Sequence, residues 1–268
     1  MCANPSPSGK PVSGTKEWSA HSVNCCKGCS HDCLYDYARA IALRFKRTTP
    51  EEWSREVVIE REVRKRRRRL DGVIMFPSTH DITPGNLWAC RIVLRKLLEE
   101  GNKVLIVSKP HLSCVQALCE ELAKHKSQVL FRFTIGVMDE ALRIFWEPGA
   151  PCFPERLACL RHAFEAGYRT SVSAEPLLEP WDVQALVKAV CPFVTHSIWI
   201  GKANQLRQRT GWILPPNHPE ILRLLSWQTD EKVRRIYELF RNDPLVKWKD
   251  SYKKVIGIQR PDEAGLDV

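Results

Sequence analysis

The segment NKVLIVSKPHLSCVQALCEELAKHKSQVLFRFTIG, residues 102–136, decides the fold class. Its apolar run at 102–110 predicts a strand, and the run at 129–136 predicts a second one. Between them, residues 111–127 carry apolar side chains at helical spacing and predict a helix. Strand, helix and strand joined by short connections are typical of a parallel sheet with crossover helices.

The same alternation continues on both sides of this segment. Further strands are predicted at 71–78, 168–178 and 196–204, and further helices at 84–101, 155–167, 180–192 and 230–244. A short strand is also predicted within 17–24, which gives about six βα units. We therefore predict an α/β fold, a partial (β/α)6 TIM-like barrel with parallel strands. In such folds the chemistry lies at the carboxyl ends of the strands.

Composition is that of an ordinary globular protein, with 44% hydrophobic and 27% charged residues among 268. No apolar run approaches the roughly 18 residues of a membrane span, and the first residues lack the apolar core of a secretory signal. We expect a cytoplasmic protein with no membrane partner. Residues 1–16, rich in Pro, Ser, Gly and Lys, predict a flexible N-terminal arm. Residues 17–268 are expected to form a single barrel domain with a C-terminal helical extension.

The charge balance favours a polyanionic partner. The formal net charge is +10, from 41 basic and 31 acidic residues, and such an excess favours contacts with phosphates. The segment at 51–69 predicts a charged helix that ends in the basic run Arg64–Arg69. This run is suited to phosphate contacts, or it is simply a solvated helix face. Nucleic acid or a nucleotide is the partner that we expect.

Eleven cysteines are a high and odd number for this chain. Without an export signal, reduced thiols and metal ligation are favoured over disulfides. Four of the cysteines fall within nine residues: Cys25, Cys26, Cys29 and Cys33.

The spacing Cys29-x3-Cys33-x2-Asp36 suits three ligands around one iron–sulfur cluster, with one iron left open. A carboxylate is a harder ligand than a thiolate, yet it binds iron. Three interpretations follow: Asp36 is a ligand, Cys25 or Cys26 takes its place, or the cluster has been lost and a binding protein remains. A fourth is a structural zinc site made by the four thiols.

The segment GCSHDCLYDYAR, residues 28–39, resembles radical SAM enzymes, which carry C-x3-C-x-aromatic-C after their first strand. It is similar to the branch of spore photoproduct lyase and related phage-type uncharacterised proteins, which read close to GC-x-H-x-C-x-YCYAR. Asp36 replaces the third cysteine. The resemblance extends to FWEPGAP at 145–151, FEAGYRTSVSAEP at 164–176 and WKDSYKKV at 248–255, and so covers most of the chain.

The resemblance implies a [4Fe–4S] cluster whose open iron binds S-adenosylmethionine, with Cys29, Cys33 and Asp36 as the ligands. It also implies an electron donor protein as a partner. Cleavage of the sulfonium gives a 5′-deoxyadenosyl radical that abstracts hydrogen from the substrate. No catalytic residue is assigned, and a monomer or a homodimer is expected.

The resemblance further implies a set of cofactor-binding residues, with Tyr35 beside the adenine and Lys109 paired with the methionine carboxylate. Tyr37 follows the third ligand position, where core packing is the alternative role. The remaining candidates end predicted strands and are suited to contact the methionine amino group, the ribose or the substrate: Ser78, Thr79, Thr134, Ser173 and Glu175. Lys202 and Asn204 are candidates on the substrate side. His80 and Asp81 form a polar pair near the site, and His31 is expected to be a loop hydrogen-bonder.

The expected function is hydrogen abstraction from a nucleobase or nucleoside within DNA, which is then modified or rearranged. This substrate class depends on the positive charge and on the branch of the resemblance. The alternative is a non-catalytic module that binds nucleic acid or another partner on a degenerate radical SAM scaffold.

Overall fold

A computed structural model describes residues 12–267 of the chain. Most of the predicted flexible arm, residues 1–16, lies outside this range. Of its remaining residues, Val12 donates its backbone N–H to the carbonyl of Pro261 at 3.0 Å. Gly14 begins a 3₁₀ helix, Gly14–Glu17, and its carbonyl accepts a hydrogen bond from Lys249 Nζ at 2.8 Å. The described part of the arm therefore contacts the C-terminal region of the chain.

The main sheet has seven strands, and every neighbouring pair is parallel. In spatial order they are β1 (His21–Ser22), β4 (Val73–Phe76), β5 (Lys103–Ser108), β6 (Val129–Thr134), β7 (Arg169–Ala174), β8 (Ser197–Ile200) and β9 (Val246–Trp248). Two short strands, β2 (Cys26–Lys27) and β3 (Val57–Val58), form a separate antiparallel pair. The edge strands β1 and β9 do not pair with each other within residues 12–267, so the barrel is open. The predicted α/β fold with a partial parallel barrel is confirmed.

Crossover helices connect the strands, as predicted. The helices are α1 (Tyr37–Arg44), α2 (Glu60–Arg64), α3 (Leu87–Glu99), α4 (Leu112–Glu121), α5 (Glu140–Trp146), α6 (Phe153–Glu165), α7 (Val183–Val190), α8 (Leu206–Thr210), α9 (Pro219–Ser226), α10 (Asp230–Phe240) and α11 (Asp250–Ile256). No helix in the described range is long and apolar enough to cross a membrane.

The prediction of a long charged helix at 51–69 is wrong, because only α2, Glu60–Arg64, is helical there. Val57 and Val58 pair with β2 instead. The basic run repels itself at helical spacing, and Arg67 turns back to donate from Nη2 to the carbonyl of Glu62 at 2.6 Å.

The two faces of the sheet carry different cores. Alternate side chains of β5 and β6 pack beneath α3, α4, α6 and α7, among them Val104, Ile106, Phe131 and Phe133. The residues between them face the inside of the open barrel, where Leu105 and Leu130 pack with Trp18, Met75 and Trp199. Burial on both faces explains why these strands read as continuous apolar runs.

Candidate functional site

A cavity of about 650 Å³ opens at the carboxyl ends of the parallel strands, within the size range of small-molecule sites. Its lining includes the three cluster ligands and the eight cofactor contacts that the resemblance implies: Cys29, Cys33, Tyr35, Asp36, Tyr37, Ser78, Thr79, Lys109, Thr134, Ser173 and Glu175. The alternative ligands Cys25 and Cys26 are not among the lining residues. Lys202 and Asn204 line it too, and so do residues 12–16. The structure brings these residues together, and the part that each plays in binding stays a prediction.

The motif loop enters the cavity through a glycine that the backbone requires. Gly28 has φ +75°, and a Cβ there would lie 2.4 Å from the carbonyl oxygen of Arg55, so a larger residue would clash. Farther along, the buried Arg39 donates to Asp32 Oδ1 and to the carbonyl of Cys33, both at 2.6 Å. These contacts hold the loop between Gly28 and α1 in one conformation.

Both predicted cysteine ligands are buried thiols with weak partners. Cys29 Sγ lies 3.6 Å from Asp81 Oδ2, and Cys33 Sγ lies 4.0 Å from the carbonyl of His31. Burial, assisted by the Asp81 charge, raises the pKa of Cys29 well above its usual value, and burial raises the pKa of Cys33 to about 12. With no metal bound, both thiols stay protonated despite the nearby Lys109, whereas a bound metal would favour the thiolate.

Asp36 is the N-cap of helix α1, a role that the sequence interpretation missed. Its Oδ1 accepts from the backbone N–H of Ala38 at 2.8 Å and of Arg39 at 3.4 Å. Its Oδ2 accepts from Trp53 Nε1 at 3.0 Å. Burial raises the pKa of Asp36 against the opposing charge of Lys109. Each carboxylate oxygen has two lone pairs, so capping leaves room for a further contact toward the cavity.

Asp81 is the centre of a buried polar network at the cavity wall. Its Oδ2 lies 2.8 Å from His31 Nδ1 and 3.5 Å from Lys109 Nζ. Its Oδ1 accepts from the Lys109 backbone N–H at 2.6 Å and from Ser108 Oγ at 3.0 Å. Burial alone would raise the pKa of Asp81, but Lys109 and His31 outweigh it and lower the pKa well below its usual range. Asp81 is therefore an anion that fixes Lys109 at the cavity.

The network continues outward through two histidines. His31 Nε2 lies 2.9 Å from His111 Nε2, so one ring donates and the other accepts. The ligand atoms of Cys29, His31 and Asp81 lie within 4.8 Å of one another and could hold one metal ion. The hydrogen-bonding role predicted for His31 agrees with these contacts.

The two predicted tyrosines are held through their hydroxyl groups. Tyr35 donates to the carboxylate of Glu147, which pairs with Arg156. Tyr37 donates to the backbone carbonyl of Ser78. The Lys109 Nζ lies 5.7 Å from the centre of the Tyr35 ring. The hydroxyl contacts fix both aromatic rings beside the cavity.

The remaining polar residues sit where strands end. Asn24 Oδ1 accepts from the backbone N–H groups of Ser78 and Thr79 at 2.7 and 2.9 Å. Glu175 Oε2 lies 3.5 Å from Lys249 Nζ. Burial raises the pKa of Glu175, although Lys249 opposes the shift. The sequence analysis did not assign Asn24 and Lys249 to the site, because their contact partners are distant in the sequence.

No protein-family model matches the chain. It is 29% identical over 179 residues to the uncharacterized protein ORF301 of Acidianus two-tailed virus, with 62% of this chain and 59% of that protein covered. The match thus spans less than two thirds of that relative's length.

Solved structures resemble the chain over most of its length. Spore photoproduct lyase in complex with dinucleoside spore photoproduct has a TM-score of 0.56 and 18% identity, and covers 90% of this chain and 79% of its own. SuiB of Streptococcus suis bound to precursor peptide SuiA has a TM-score of 0.53 and 12% identity, and covers 90% and 51%. The chain therefore shares the α/β fold of these two proteins.

Proposed function

We propose that the protein is a radical SAM enzyme that holds a [4Fe–4S] cluster through Cys29, Cys33 and Asp36. S-adenosylmethionine would bind in the same cavity, and the substrate would be a nucleobase or nucleoside within DNA. The observation that carries the proposal is that these three side chains line one cavity with Lys109 and Glu175 at the carboxyl ends of the strands.

The donor set fits an iron–sulfur cluster. Cys29 and Cys33 are 3% and 4% exposed, line the cavity and have only weak contacts to satisfy them. Thiolates are the usual ligands of such clusters. Because each ligand of a cluster binds a different iron, the three side chains need not converge on one coordination sphere. The carboxylate of Asp36 lines the same cavity as the harder third ligand.

When bound, the cluster would supply the one electron that breaks the C5′–S bond of S-adenosylmethionine, giving methionine and a 5′-deoxyadenosyl radical. The protein's own residues would bind and orient S-adenosylmethionine and the substrate. Lys109 offers a fixed cation for the methionine carboxylate, since Asp81 engages only part of its three-donor ammonium group. Thr134, Ser173 and Glu175 offer hydrogen-bonding groups for ribose hydroxyls or the substrate.

Apolar side chains also line the cavity, among them Trp18, Met75 and Val107. Apolar lining residues help to keep water away from a reactive radical.

The substrate class rests on charge and on likeness. A net charge of +10 favours a polyanion, and the exposed residues of the run Arg64–Arg69 are available to phosphates. Spore photoproduct lyase, whose fold this chain shares, is known in complex with a dinucleoside. An electron donor protein would be a further partner, and the enzyme would act as a monomer or homodimer.

Anaerobic reconstitution with iron and sulfide tests the proposal. We expect about four irons per chain, a paramagnetic signal on reduction, and 5′-deoxyadenosine from S-adenosylmethionine under reductant. Cys29→Ala and Cys33→Ala should lose iron and cleavage together. Cys191→Ala is the matched control, because this half-buried thiol does not line the cavity. If the protein never binds iron, or binds it without cleaving S-adenosylmethionine, the proposed enzymatic function is refuted.

One observation favours the second candidate, a non-catalytic nucleic-acid or partner-binding module. The three donors that hold the Asp36 carboxylate give it a structural role that needs no iron. Asp36→Asn separates the candidates, because Asn caps a helix about as well as Asp but is not an anionic ligand. The enzyme predicts loss of iron in this variant. The binding module predicts unchanged DNA binding and no cleavage in either protein.

A further inference from the structure

A second group of metal-binding side chains lies apart from the predicted cluster ligands. The Sγ atoms of Cys25 and Cys26 and one ring nitrogen of His80 lie within 4.8 Å of one another. Their residues are 0%, 2% and 6% exposed. Cys25 directly precedes β2, Cys26 belongs to β2, and His80 lies in the loop after β4. The fold therefore brings three soft or borderline ligands from two distant segments into one buried volume.

The contacts of His80 leave its outer nitrogen in the form that binds a metal. Its Nδ1 lies 2.9 Å from the backbone carbonyl oxygen of Asp81, so Nδ1 carries the proton. Its Nε2 accepts from the backbone N–H of Cys25 at 3.2 Å, so Nε2 carries the lone pair, and a bound metal ion would replace this hydrogen bond. A neutral imidazole with one nitrogen held by a carbonyl is the usual arrangement of a metal-ligating histidine.

A third thiol lies beside this group: Cys90 Sγ donates to Asn86 Oδ1 at 3.2 Å and is not among the atoms that all lie within 4.8 Å of one another. Cys90 of α3 is fully buried, and its Sγ lies 3.7 Å from Cys25 Sγ. Three thiolates and one imidazole are a common donor set of structural zinc, and soft thiolates select zinc over harder cations. We propose that Cys25, Cys26 and His80 bind a zinc ion, with Cys90 as the fourth ligand once its thiol turns from Asn86 toward Cys25, and that this ion ties β2, the loop after β4 and α3 together beside the motif loop.

This site differs from the zinc site considered in the sequence, because it omits Cys29 and Cys33 and takes its other ligands from the loop after β4 and from α3. In this proposal Cys25 and Cys26 are zinc ligands and do not bind the iron–sulfur cluster. The competing explanation is that three small thiols simply fill the core beneath α3.

Metal analysis of variants tests the assignment. Protein purified without chelators should contain stoichiometric zinc, and the double variant Cys29→Ala/Cys33→Ala should keep it. Cys25→Ser, Cys26→Ser and His80→Ala should each lose most of the zinc. Cys114→Ser is the matched control, because this buried thiol belongs to the same core without neighbouring the site. Zinc that persists in the Cys25, Cys26 and His80 variants, or that disappears in the double variant, would overturn the proposal.

Spectroscopy of the unaltered protein does not depend on whether a variant folds. X-ray absorption at the zinc edge should give three sulfurs at about 2.3 Å and one nitrogen at about 2.0 Å. Replacement of zinc by cobalt should give the intense absorption of a tetrahedral thiolate site. Zinc-free protein, or oxygen-rich coordination, would mean that the thiols only pack. Because the readout is zinc, the site can stand while the proposed iron cluster fails, and the reverse.

Discussion

Replacing Arg156 with Met should destabilise the protein by about 3–5 kcal/mol, because it leaves Glu147 as an uncompensated buried charge. Both side chains are 1% exposed, and Arg156 Nη2 lies 2.5 Å from Glu147 Oε2. Burial alone would raise the pKa of Glu147, but Arg156, Lys109 and the Tyr35 hydroxyl together outweigh burial and lower the pKa. The guanidinium also donates to the carbonyls of Pro151 at 2.7 Å and Thr134 at 3.3 Å. Since Glu147 accepts from Tyr35, the pair supports the cavity wall from behind.

The magnitude follows from charge rather than volume. Met fills much of the space of the Arg side chain, so the cavity term is small, and the cost comes from the unpaired carboxylate and two carbonyls that lose a donor. For a chain of this size, each kcal/mol lowers the melting temperature by roughly 2–4 °C. We therefore expect a decrease of about 6–20 °C.

Equilibrium unfolding in urea, with a double-mutant cycle, measures the effect. Glu147→Gln alone should destabilise the protein because it leaves Arg156 unpaired. The double variant Glu147→Gln/Arg156→Met should recover much of the loss, because no net charge stays buried. A loss below about 1 kcal/mol for Arg156→Met, or a double variant no more stable than either single one, would show that the pair is not buried as described.

Three further predictions concern the motif and its surroundings. In iron-free protein, Asp36→Ala should cost about 1 kcal/mol more than Asp36→Asn, as measured by urea midpoints, because both variants lose the acceptor of Trp53 Nε1 but only Asn keeps the helix cap. Equal losses would exclude the cap. Asp81→Asn should be less stable than the unaltered protein at pH 7. Because folding lowers the pKa of Asp81, this difference in unfolding free energy should shrink as the pH falls through about 4 toward the lowered pKa. A difference that is independent of pH would contradict the conclusion that Asp81 is ionised in the folded protein. Gly28→Ala should cost more unfolding free energy than Gly101→Ala. Both glycines have φ near +75° to +78°, but a Cβ meets a backbone oxygen at 2.4 Å only at Gly28.

The sequence predicted the central sheet because long buried strands alternate with amphipathic helices, and both patterns are local. The edge strand β9 escaped prediction, since Val246–Trp248 is too short to show periodicity. The helix predicted at 51–69 failed for a related reason. Pairing of Val57 and Val58 with β2 is a long-range contact that overrides the local helical pattern.

The candidate site divides in the same way. Residues at the ends of successive strands, such as Lys109 and Glu175, could be predicted because parallel strands bring their carboxyl ends together. The side-chain contacts that hold the site residues in place could not be predicted. Asp81 meets His31 across 50 positions, and Tyr35 meets Glu147 across 112. Such pairs can be identified only in the folded structure, where residues distant in the sequence come into contact.

Asp36 alone does not decide between an enzyme and a binding protein. It stands at the N-cap of α1, and Asp is among the best residues there because its oxygen accepts from the first free backbone N–H groups. A cysteine at the same position offers only a weak acceptor, so Asp would be favoured with or without iron. Cys29 and Cys33 lack this second explanation. Their thiols line the cavity, cap no helix and have only weak contacts, as ligands of the proposed cluster would. The two cysteines, rather than the aspartate, therefore carry the inference of a cluster.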